Sequence, residues 1–372
     1  MRGVLTTIKI AFEEVANKIN QWYTMIKKRE VEDAIQLKDE IDYILDDMEE
    51  NQNLLLYYNL LDARHRMSVD MFKSSGEILE RIQKSPEMQK TDDMLQYYFL
   101  FFSGQYMFFK KKYIEAINYY KLAEDKLIKI EDEIEKAEFY YHLAISYYHI
   151  DQYFFSLAYA EKALDIFREF EDYAHRSISS EMILGANKLD LFRYESAYEH
   201  YNNALEFAKT IQIPESEGKA YHNLGILYIR RNMLSEAEDC FKNALQIQEY
   251  IQSINGLKSI YNLTHVLYKS GHIEEAREWY DKGLKRAEKE GDKEYLAKLT
   301  LVNTLYDEYN ESVLTNSLDI LEKLDLWNDV AELTLEVGCY FKKSDDIKNA
   351  AKYLEKCIHA RDQILKVTEE LK

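Results

Sequence analysis

Apolar residues recur along this chain every three or four positions, which is the spacing of one helix face rather than the alternation of a strand. Three such stretches precede residue 72. Their apolar positions are Phe12, Val15, Ile19, Trp22 and Ile26; then Ala34, Ile41, Leu45 and Met48; then Leu54, Tyr57, Leu61 and Val69. Because each helix has one apolar face to bury, we predict a three-helix bundle over residues 1–72.

A different pattern repeats over residues 95–372. A first helix carries a small residue; a second small residue follows twelve positions later, then an aromatic residue four beyond it, then another small residue. One copy is formed by Gly225, Ala237, Phe241 and Ala244. The first members of five successive copies are Gly104, Ala144, Gly185, Gly225 and Thr264, which lie 40, 41, 40 and 39 residues apart. A degraded copy runs from Asn303 to Leu321, and a last copy starts at Gly338.

This repeat frame resembles the tetratricopeptide pattern. The most complete match is formed by Leu224, Gly225, Tyr228, Ala237, Phe241 and Ala244. We therefore predict an all-α chain in which residues 95–372 form a superhelical array of about seven tetratricopeptide-like hairpins. The small residues would let the two helices of a hairpin approach closely, and the aromatic residue would fill the gap between hairpins.

A polar stretch separates the two patterns. It contains Ser74, Ser75, Gly76 and Pro86, which are residue types that favour turns and interrupt helices. We interpret residues 73–94 as a linker that includes a short helix around Ile78 to Ile82. A hinge in this linker would let the bundle move against the repeats.

Charge and cysteine content narrow the function classes. Lys and Arg total 48 against 67 Asp and Glu, a formal net charge of −19, so nucleic acid is disfavoured as a partner. The cysteines Cys240, Cys339 and Cys357 have no paired spacing and are predicted to be reduced, core-filling thiols. No apolar run approaches the ~20 residues of a membrane span. The N-terminal segment MRGVLTTIKIAFEEV reaches acidic residues too early for a secretory signal, so we expect a cytoplasmic protein.

Metal and nucleotide sites lack their usual sequence signatures. The nine histidines include no H-E-x-x-H motif and no pairing with cysteine at finger spacing. We assign His142 and His149 to the groove or the surface. No glycine-rich loop precedes a helix, so the phosphate cradle of a nucleotide site is missing. We predict no metal site and no cofactor of the chain's own.

Polar residues of the first helices predict a peptide-binding groove on the concave side of the repeats. Asn223 and Asn262 lie two positions before the small residue of consecutive repeats. Because a carboxamide both donates and accepts hydrogen bonds, such a ladder can hold the backbone of an extended peptide. Asp190, five positions after the small residue of its repeat, is predicted to anchor a basic side chain or an amino terminus. Alternatively, the two asparagines only cap or stabilise helices.

A second candidate site lies where the polar run MEENQN, Met48 to Asn53, separates two apolar stretches of the bundle. Asn51 and Asn53 suit turn and capping positions. Gln52 has no evident structural duty, although a glutamine exposed to solvent needs none.

The chain as a whole resembles the Rap response-regulator aspartate phosphatases of Bacillus. The resemblance rests on the bundle with Trp22 and Tyr23, on the segment MEENQNLLLYYNLLDARHRM from Met48 to Met67, and on the seven long repeats. A further local match is IEKAEFYYHLAISYYHIDQYFFSLAYAEKAL, from Ile134 to Leu164. This resemblance covers essentially the whole chain and is more specific than the repeat pattern alone.

The resemblance implies a division of labour. The bundle and first repeats would bind a response regulator, while the groove would bind a short, re-imported Phr-type signalling peptide, with Asp190 and Asn223 at the family's peptide positions. Peptide binding would close the superhelix and pull the bundle from its target. Gln52 would enter the regulator's active site and orient the water that attacks the aspartyl phosphate, since phosphoryl transfer depends on positioning. Any Mg²⁺ would be the regulator's own.

One position departs from the family pattern. The family commonly has an acidic residue just before this glutamine, whereas this chain has Asn51, which removes a charge near the phosphoryl group. Glu50 remains as a weak helper for Gln52. Asn51, Leu55 and Tyr58 are predicted to contact the regulator, and a core role is equally open for Leu55.

Three functions stay open at this point. The leading hypothesis is a peptide-inhibited phosphatase of a sporulation-phosphorelay-type response regulator. The alternative is a non-catalytic inhibitor that sequesters a competence-type, DNA-binding response regulator and is likewise released by peptide, because one fold can host both activities. The third is a tetratricopeptide adaptor with no regulator partner.

Overall fold

The structure is a computed structural model that describes residues 9–69, 71–86 and 88–369. Residues 1–8 of the N-terminal segment considered for a secretory signal lie outside the described residues. The chain divides into two compact units between Ile183 and Leu184, here called the N-terminal unit and the C-terminal unit. This division differs from the predicted one into bundle, linker and repeats, which stays a prediction.

The N-terminal unit contains the bundle and the first two hairpins. The bundle helices are α1 Phe12–Lys28, α2 Val31–Leu45 and α3 Gln52–Ser68, and α4 Phe72–Gln83 follows them. The hairpins are α5 Asp93–Phe109 with α6 Tyr113–Leu127, and α7 Glu133–Tyr148 with α8 Tyr153–Phe167. The next helix, α9 Ala174–Asp190, spans the division between the units. As the apolar spacing predicted, Val15, Ile19 and Trp22 are fully buried.

The C-terminal unit continues the hairpins. Its helices are α10 Tyr194–Thr210, α11 Pro214–Arg230, α12 Leu234–Gln246, α13 Gln248–Gln252, α14 Ile254–Ser270, α15 Ile273–Glu290, α16 Lys293–Tyr306, α17 Glu311–Lys323, α18 Trp327–Lys343 and α19 Ile347–Glu369. The first helices of the seven hairpins are α5, α7, α9, α11, α14, α16 and α18. Extended pairing within the described residues is limited to one bridge between Ile10 and Met48. The all-α prediction with about seven hairpins is confirmed.

Helix ends follow local capping chemistry. Side-chain oxygens accept hydrogen bonds from first-turn N–H groups at Asn51, Asp92, Asp132, Ser253, Asp292 and Asn310. At the other end of two helices, Gly271 and Gly291 take left-handed φ angles of 80° and 69°. Glycine adopts this conformation without steric cost, so α14 and α15 end at these residues.

The glycines of the repeat frame lie directly against aromatic rings. A Cβ atom added to Gly104, Gly185 or Gly225 would lie 2.3, 2.5 or 2.6 Å from the ring of Tyr120, Tyr201 or Phe241, respectively. Each ring belongs to the second helix of the same hairpin. The aromatic residue therefore fills the space above the glycine inside its hairpin, which corrects the prediction that it fills a gap between hairpins.

We expect Gly225→Leu to lower the free energy of unfolding by about 1–3 kcal/mol or more, the usual cost of overpacking a core. The new side chain would meet the ring of Phe241, which is fully buried and has no free space to move into. Urea denaturation would measure the loss. Phe241→Ala makes room for the leucine, so Gly225→Leu should cost less in the Phe241→Ala background than in the wild type. An equal cost in the two backgrounds would contradict the proposed packing of Phe241 on Gly225.

The predicted linker is largely helical. Residues 73–83 lie in α4, which includes the short helix expected around Ile78 to Ile82. Ser75 and Gly76 are both buried in contact with neighbouring helices. Ser75 Oγ donates to the Ala63 carbonyl oxygen at 2.8 Å, and a Cβ atom added to Gly76 would meet the side chain of Tyr106. These small residues allow close packing of α4 against its neighbours. Interpreting them as turn signals was wrong.

Several smaller expectations have mixed outcomes. The three cysteines are unpaired, but only Cys357 is buried; Cys240 is half-buried and Cys339 is exposed, so the core-filling prediction was wrong for Cys339. His142, assigned to the groove or surface, is buried.

Among the described residues, no helix has both the length and the apolar character of a membrane span. No group of three or more His, Cys, Asp or Glu in this part of the chain is arranged to hold a metal ion.

Candidate functional site

The polar run before α3 is held at both ends. The Ile10 N–H donates to the Asp47 carbonyl oxygen, and the Glu49 N–H donates to the Ile10 carbonyl oxygen, each at 2.9 Å. The Asn51 side chain accepts from the Leu54 N–H at 3.0 Å, which confirms its predicted capping role. The run is therefore attached at its start to Ile10, just before α1, and at its end to the first turn of α3.

Gln52 is the first residue of α3, and its side chain is exposed. Its Nε2 atom donates to Glu50 Oε1 at 3.1 Å. This hydrogen bond orients the carboxamide and leaves the amide oxygen of Gln52 available to accept from another molecule. The pair can thus present an oriented acceptor to a water molecule or a partner protein.

Leu55 and Tyr58 are half-buried on the same helix. Leu55 packs against the hydrophobic core of the bundle, in agreement with the core role left open for it. The Tyr58 hydroxyl donates to the Asp42 carboxylate, and its ring lies 5.8 Å from that of Trp22. Burial and the neighbouring Asp42 raise the pKa of Tyr58 above its ordinary value. Only part of each side chain is accessible to a regulator.

A buried polar cluster around Glu135 joins the bundle to the first two hairpins. The Glu135 carboxylate accepts from the hydroxyls of Tyr23 and Tyr97, both at 3.0 Å. Lys27 Nζ lies 3.4 Å from Glu135 and 2.8 Å from Asp132. Burial raises the pKa of Glu135, and the charge of Lys27 opposes that rise. Helix α1 is thereby held to α5 and α7.

In the C-terminal unit, Asp190 is paired with an arginine. Arg230 Nη2 lies 3.5 Å from Asp190 Oδ1 and 3.7 Å from Glu332 Oε1. Arg230 therefore connects α9, α11 and α18, the first helices of three hairpins. Asp190, the predicted anchor for a basic group, meets a basic side chain of its own chain. Sequence reasoning missed Arg230, although it lies five positions after Gly225, just as Asp190 follows Gly185.

Asn223 and Asn262 lie inside α11 and α14, and both are half-buried. The N-cap residues of these helices are Ile213 and Ser253, so neither asparagine is an N-cap, while the alternative that they stabilise the helices stays open. Neither carboxamide hydrogen-bonds to a residue that the structure describes. The donor and acceptor groups of both carboxamides are therefore not used within the part of the chain that the structure describes.

Glu336 occupies the same frame position in the last hairpin, two residues before Gly338, and was also missed. His265 Nε2 lies 2.6 Å from Glu336 Oε1, Lys269 Nζ lies 3.5 Å from Oε2, and the Tyr306 hydroxyl donates to Oε1. Burial disfavours the charged carboxylate, but His265 and Lys269 outweigh it and lower the pKa of Glu336 to about 2. Helices α14, α16 and α18, the first helices of the last three hairpins, thus share one polar network.

Comparison with known proteins places this geometry in a family. Residues 9–70 match the family model for response regulator aspartate phosphatase H, N terminal. Tetratricopeptide matches cover residues 177–249 and 218–289. Response regulator aspartate phosphatase J of Bacillus subtilis (strain 168) is 39% identical over 366 residues, which are 96% of this chain and 98% of that protein. The chain belongs to the Rap family.

Two solved Rap structures share the fold over nearly the whole chain. A Rap protein complexed with competence and sporulation factor has a TM-score of 0.84 and 38% identity, covering 95% of this Rap chain and 99% of its own. The apo form of RapI has a TM-score of 0.77 and 35% identity, covering 95% and 98%. The Rap resemblance inferred from the sequence is confirmed. The individual roles of Gln52, Asp190, Asn223 and Asn262 stay predictions.

Proposed function

We propose that this chain hydrolyses the aspartyl phosphate of a sporulation-phosphorelay-type response regulator and is inhibited by a short Phr-type peptide. The observation that carries the proposal is the exposed Gln52 carboxamide, held by Glu50 at the start of α3. The names of the relatives, response regulator aspartate phosphatases J and H among them, agree with this reaction.

In the proposed mechanism, Gln52 enters the regulator's active site and its amide oxygen accepts a hydrogen bond from the attacking water. The water oxygen bonds to phosphorus, and the bond from phosphorus to the aspartyl oxygen breaks. The regulator's carboxylate leaves with the bonding electrons, and the water's proton passes to an oxygen of the phosphate that is released. Because hydrolysis of this bond depends on positioning and charge stabilisation, a neutral carboxamide suffices. Mg²⁺ held by the regulator would stabilise the phosphoryl charge, so the chain needs no cofactor of its own.

The direct test is a phosphate-release assay over a panel of labelled, phosphorylated regulators. We expect one or more sporulation-type regulators to lose label faster when the protein is added. Candidate pentapeptides should slow that loss. Unchanged decay of every sporulation-type regulator would exclude the phosphatase proposal.

The peptide would bind along the first helices of the C-terminal unit. Its basic group would replace Arg230 at Asp190, which exchanges one ion pair for another at little electrostatic cost. The unpaired carboxamides of Asn223 and Asn262 would hold its backbone. This arrangement predicts a preference for short peptides that carry a basic residue.

We expect Asn223→Ala to weaken binding of such peptides by about 1–3 kcal/mol, the cost of stranding backbone hydrogen bonds. Isothermal titration calorimetry would measure the change. Asn243→Ala is the matched control, because Asn243 is an exposed carboxamide on α12, the second helix of the same hairpin. Equal affinity of the Asn223→Ala variant and the wild type would show that Asn223 does not bind the peptide backbone.

A second candidate function is sequestration of a competence-type, DNA-binding response regulator without chemistry. The observation that favours it is Asn51, which caps α3 where the family commonly has an acidic residue. In this case the regulator would stay phosphorylated and lose its DNA when the protein is added. An electrophoretic mobility assay run beside the phosphate-release assay separates the two functions.

A further inference from the structure

A cavity in the N-terminal unit is lined by positive charge. It measures about 340 Å³ and lies among α1, α2, α3, α5, α7 and α9. Small-molecule sites usually span about 300–1,000 Å³, so the cavity is large enough for a small ligand. Arg29, Arg64 and Arg176 line it, and none of the residues described in its lining is a carboxylate. Such a lining is unexpected in a chain with a net charge of −19.

The guanidinium of Arg64 lacks a partner among the described residues. Arg64 is only 9% exposed, yet no hydrogen bond or ion pair joins its guanidinium to a residue that the structure describes. The carboxylate of Glu138 attracts it electrostatically, but both Glu138 oxygens accept hydrogen bonds from Arg176. A buried charge without hydrogen bonds destabilises the fold by roughly several kcal/mol, because the charge loses its hydration. An anion in the cavity would offset that cost.

Two histidines add neutral N–H donors to the lining. His142 is 8% exposed; its Nε2 lies 3.7 Å from Glu138 Oε2, beyond hydrogen-bond distance, and neither ring nitrogen makes a hydrogen bond to a described residue. Burial lowers the pKa of His142 to about 4, so its ring is neutral at pH 7 and carries one N–H. His65 Nδ1 accepts from the Trp22 indole N–H at 3.3 Å, so Nε2 carries the proton of the neutral ring.

We infer that this cavity is a binding site for a small oxyanion, a phosphate or a carboxylate. Guanidinium and imidazole N–H groups are donors suited to oxyanions, and planar guanidinium groups bind them with two parallel hydrogen bonds. An anion held between Arg64 of α3 and Arg176 of α9 would tie the bundle to the repeats. Its occupancy would therefore stabilise the N-terminal unit.

The test uses the full chain and inorganic phosphate as the probe. Trp22 reports on the cavity, because its ring lies 5.3 Å from that of His65; Trp279→Phe/Trp327→Phe removes the other two tryptophans. Phosphate should change Trp22 fluorescence and raise Tm relative to chloride at the same ionic strength. A parallel acetate titration shows whether phosphate or carboxylate is the preferred oxyanion.

Arg64→Met should weaken phosphate binding about 10- to 100-fold, the effect of losing charge-assisted hydrogen bonds. It should not lower Tm in chloride, because it removes an unpaired buried charge; a purely structural arginine would give the opposite result. Arg66→Gln is the matched control, since Arg66 is on the same helix and pairs with Asp62 at 2.9 Å.

If Arg64→Met does not fold, Arg64→Lys should still weaken binding by removing the paired donors. A phosphate response no larger than that of chloride, or one that Arg64→Met and Arg64→Lys leave unchanged, would overturn the site.

Discussion

Replacing Gln52 with alanine is expected to slow dephosphorylation of the regulator by about 100-fold or more, the scale of losing a positioning group at a reacting centre. Regulator affinity should stay nearly unchanged, because the proposed task of Gln52 is to orient water rather than to hold the partner. The fold should not suffer, since Gln52 is exposed and its side chain bonds only to Glu50 among the described residues. Single-turnover label loss and calorimetric binding would separate the two effects.

The matched control is Asn53→Ala, which removes an exposed carboxamide from the same turn of α3. It should leave turnover unchanged. Glu50→Ala should give an intermediate loss, because it frees the Gln52 amide to rotate without removing it. Wild-type turnover in the Gln52→Ala variant would reject the catalytic role, and loss of binding together with turnover would reassign Gln52 as a contact residue.

The repeats could be predicted from the sequence because their packing is local. A glycine and the aromatic residue sixteen positions later lie in one hairpin, as Gly225 and Phe241 show, so the spacing along the chain fixes the contact. The extra helix α13 could not be predicted in this way. The chain is extended at Ile247, which separates α13 from α12, and this break lets Tyr250 pack on Gly218 of α11.

The sequence signal of the small residues in α4 is ambiguous for a physical reason. Ser75 and Gly76 are compatible with both a turn and a close helix crossing, and the sequence does not distinguish the two. The charged residues that join the bundle to the repeats were missed for a similar reason. Glu135 and Glu138 lie on a helix in a pattern that ordinarily indicates a solvated face, but partners 38 to 112 positions away bury them.

The candidate site was predicted in part. The frame singled out Asp190, Asn223 and Asn262, because residues at equal frame positions lie on equivalent faces of the first helices. It could also have found Arg230 and Glu336, which occupy the same positions in other repeats. Their pairing could not be predicted, since it depends on which hairpins approach each other across the C-terminal unit.

Glu138→Gln is expected to lower the free energy of unfolding by about 3–5 kcal/mol, the usual cost of removing one partner from a buried ion pair. The substitution keeps the size of the side chain but leaves the buried Arg176 without its counter-charge, and Arg64 loses the carboxylate that attracts it. Urea denaturation at pH 7 would measure the difference. The matched control is Glu133→Gln on the same helix, because Glu133 forms an exposed pair with Lys136 and should change stability little.

The pH dependence of this difference gives a second test. Burial disfavours the charged form of Glu138, but the charge of Arg176 outweighs it, so the pKa of Glu138 is held well below its ordinary value of 4.5. A carboxylate with a depressed folded-state pKa contributes its full stability above the unfolded-state value, and that contribution is lost as the pH falls further. The gap between wild type and Glu138→Gln should thus be constant between about pH 6 and 8 and shrink below about pH 4.5. A gap that is absent at pH 7, or one that widens in acid, would show that Glu138 does not hold Arg176 as a charged group.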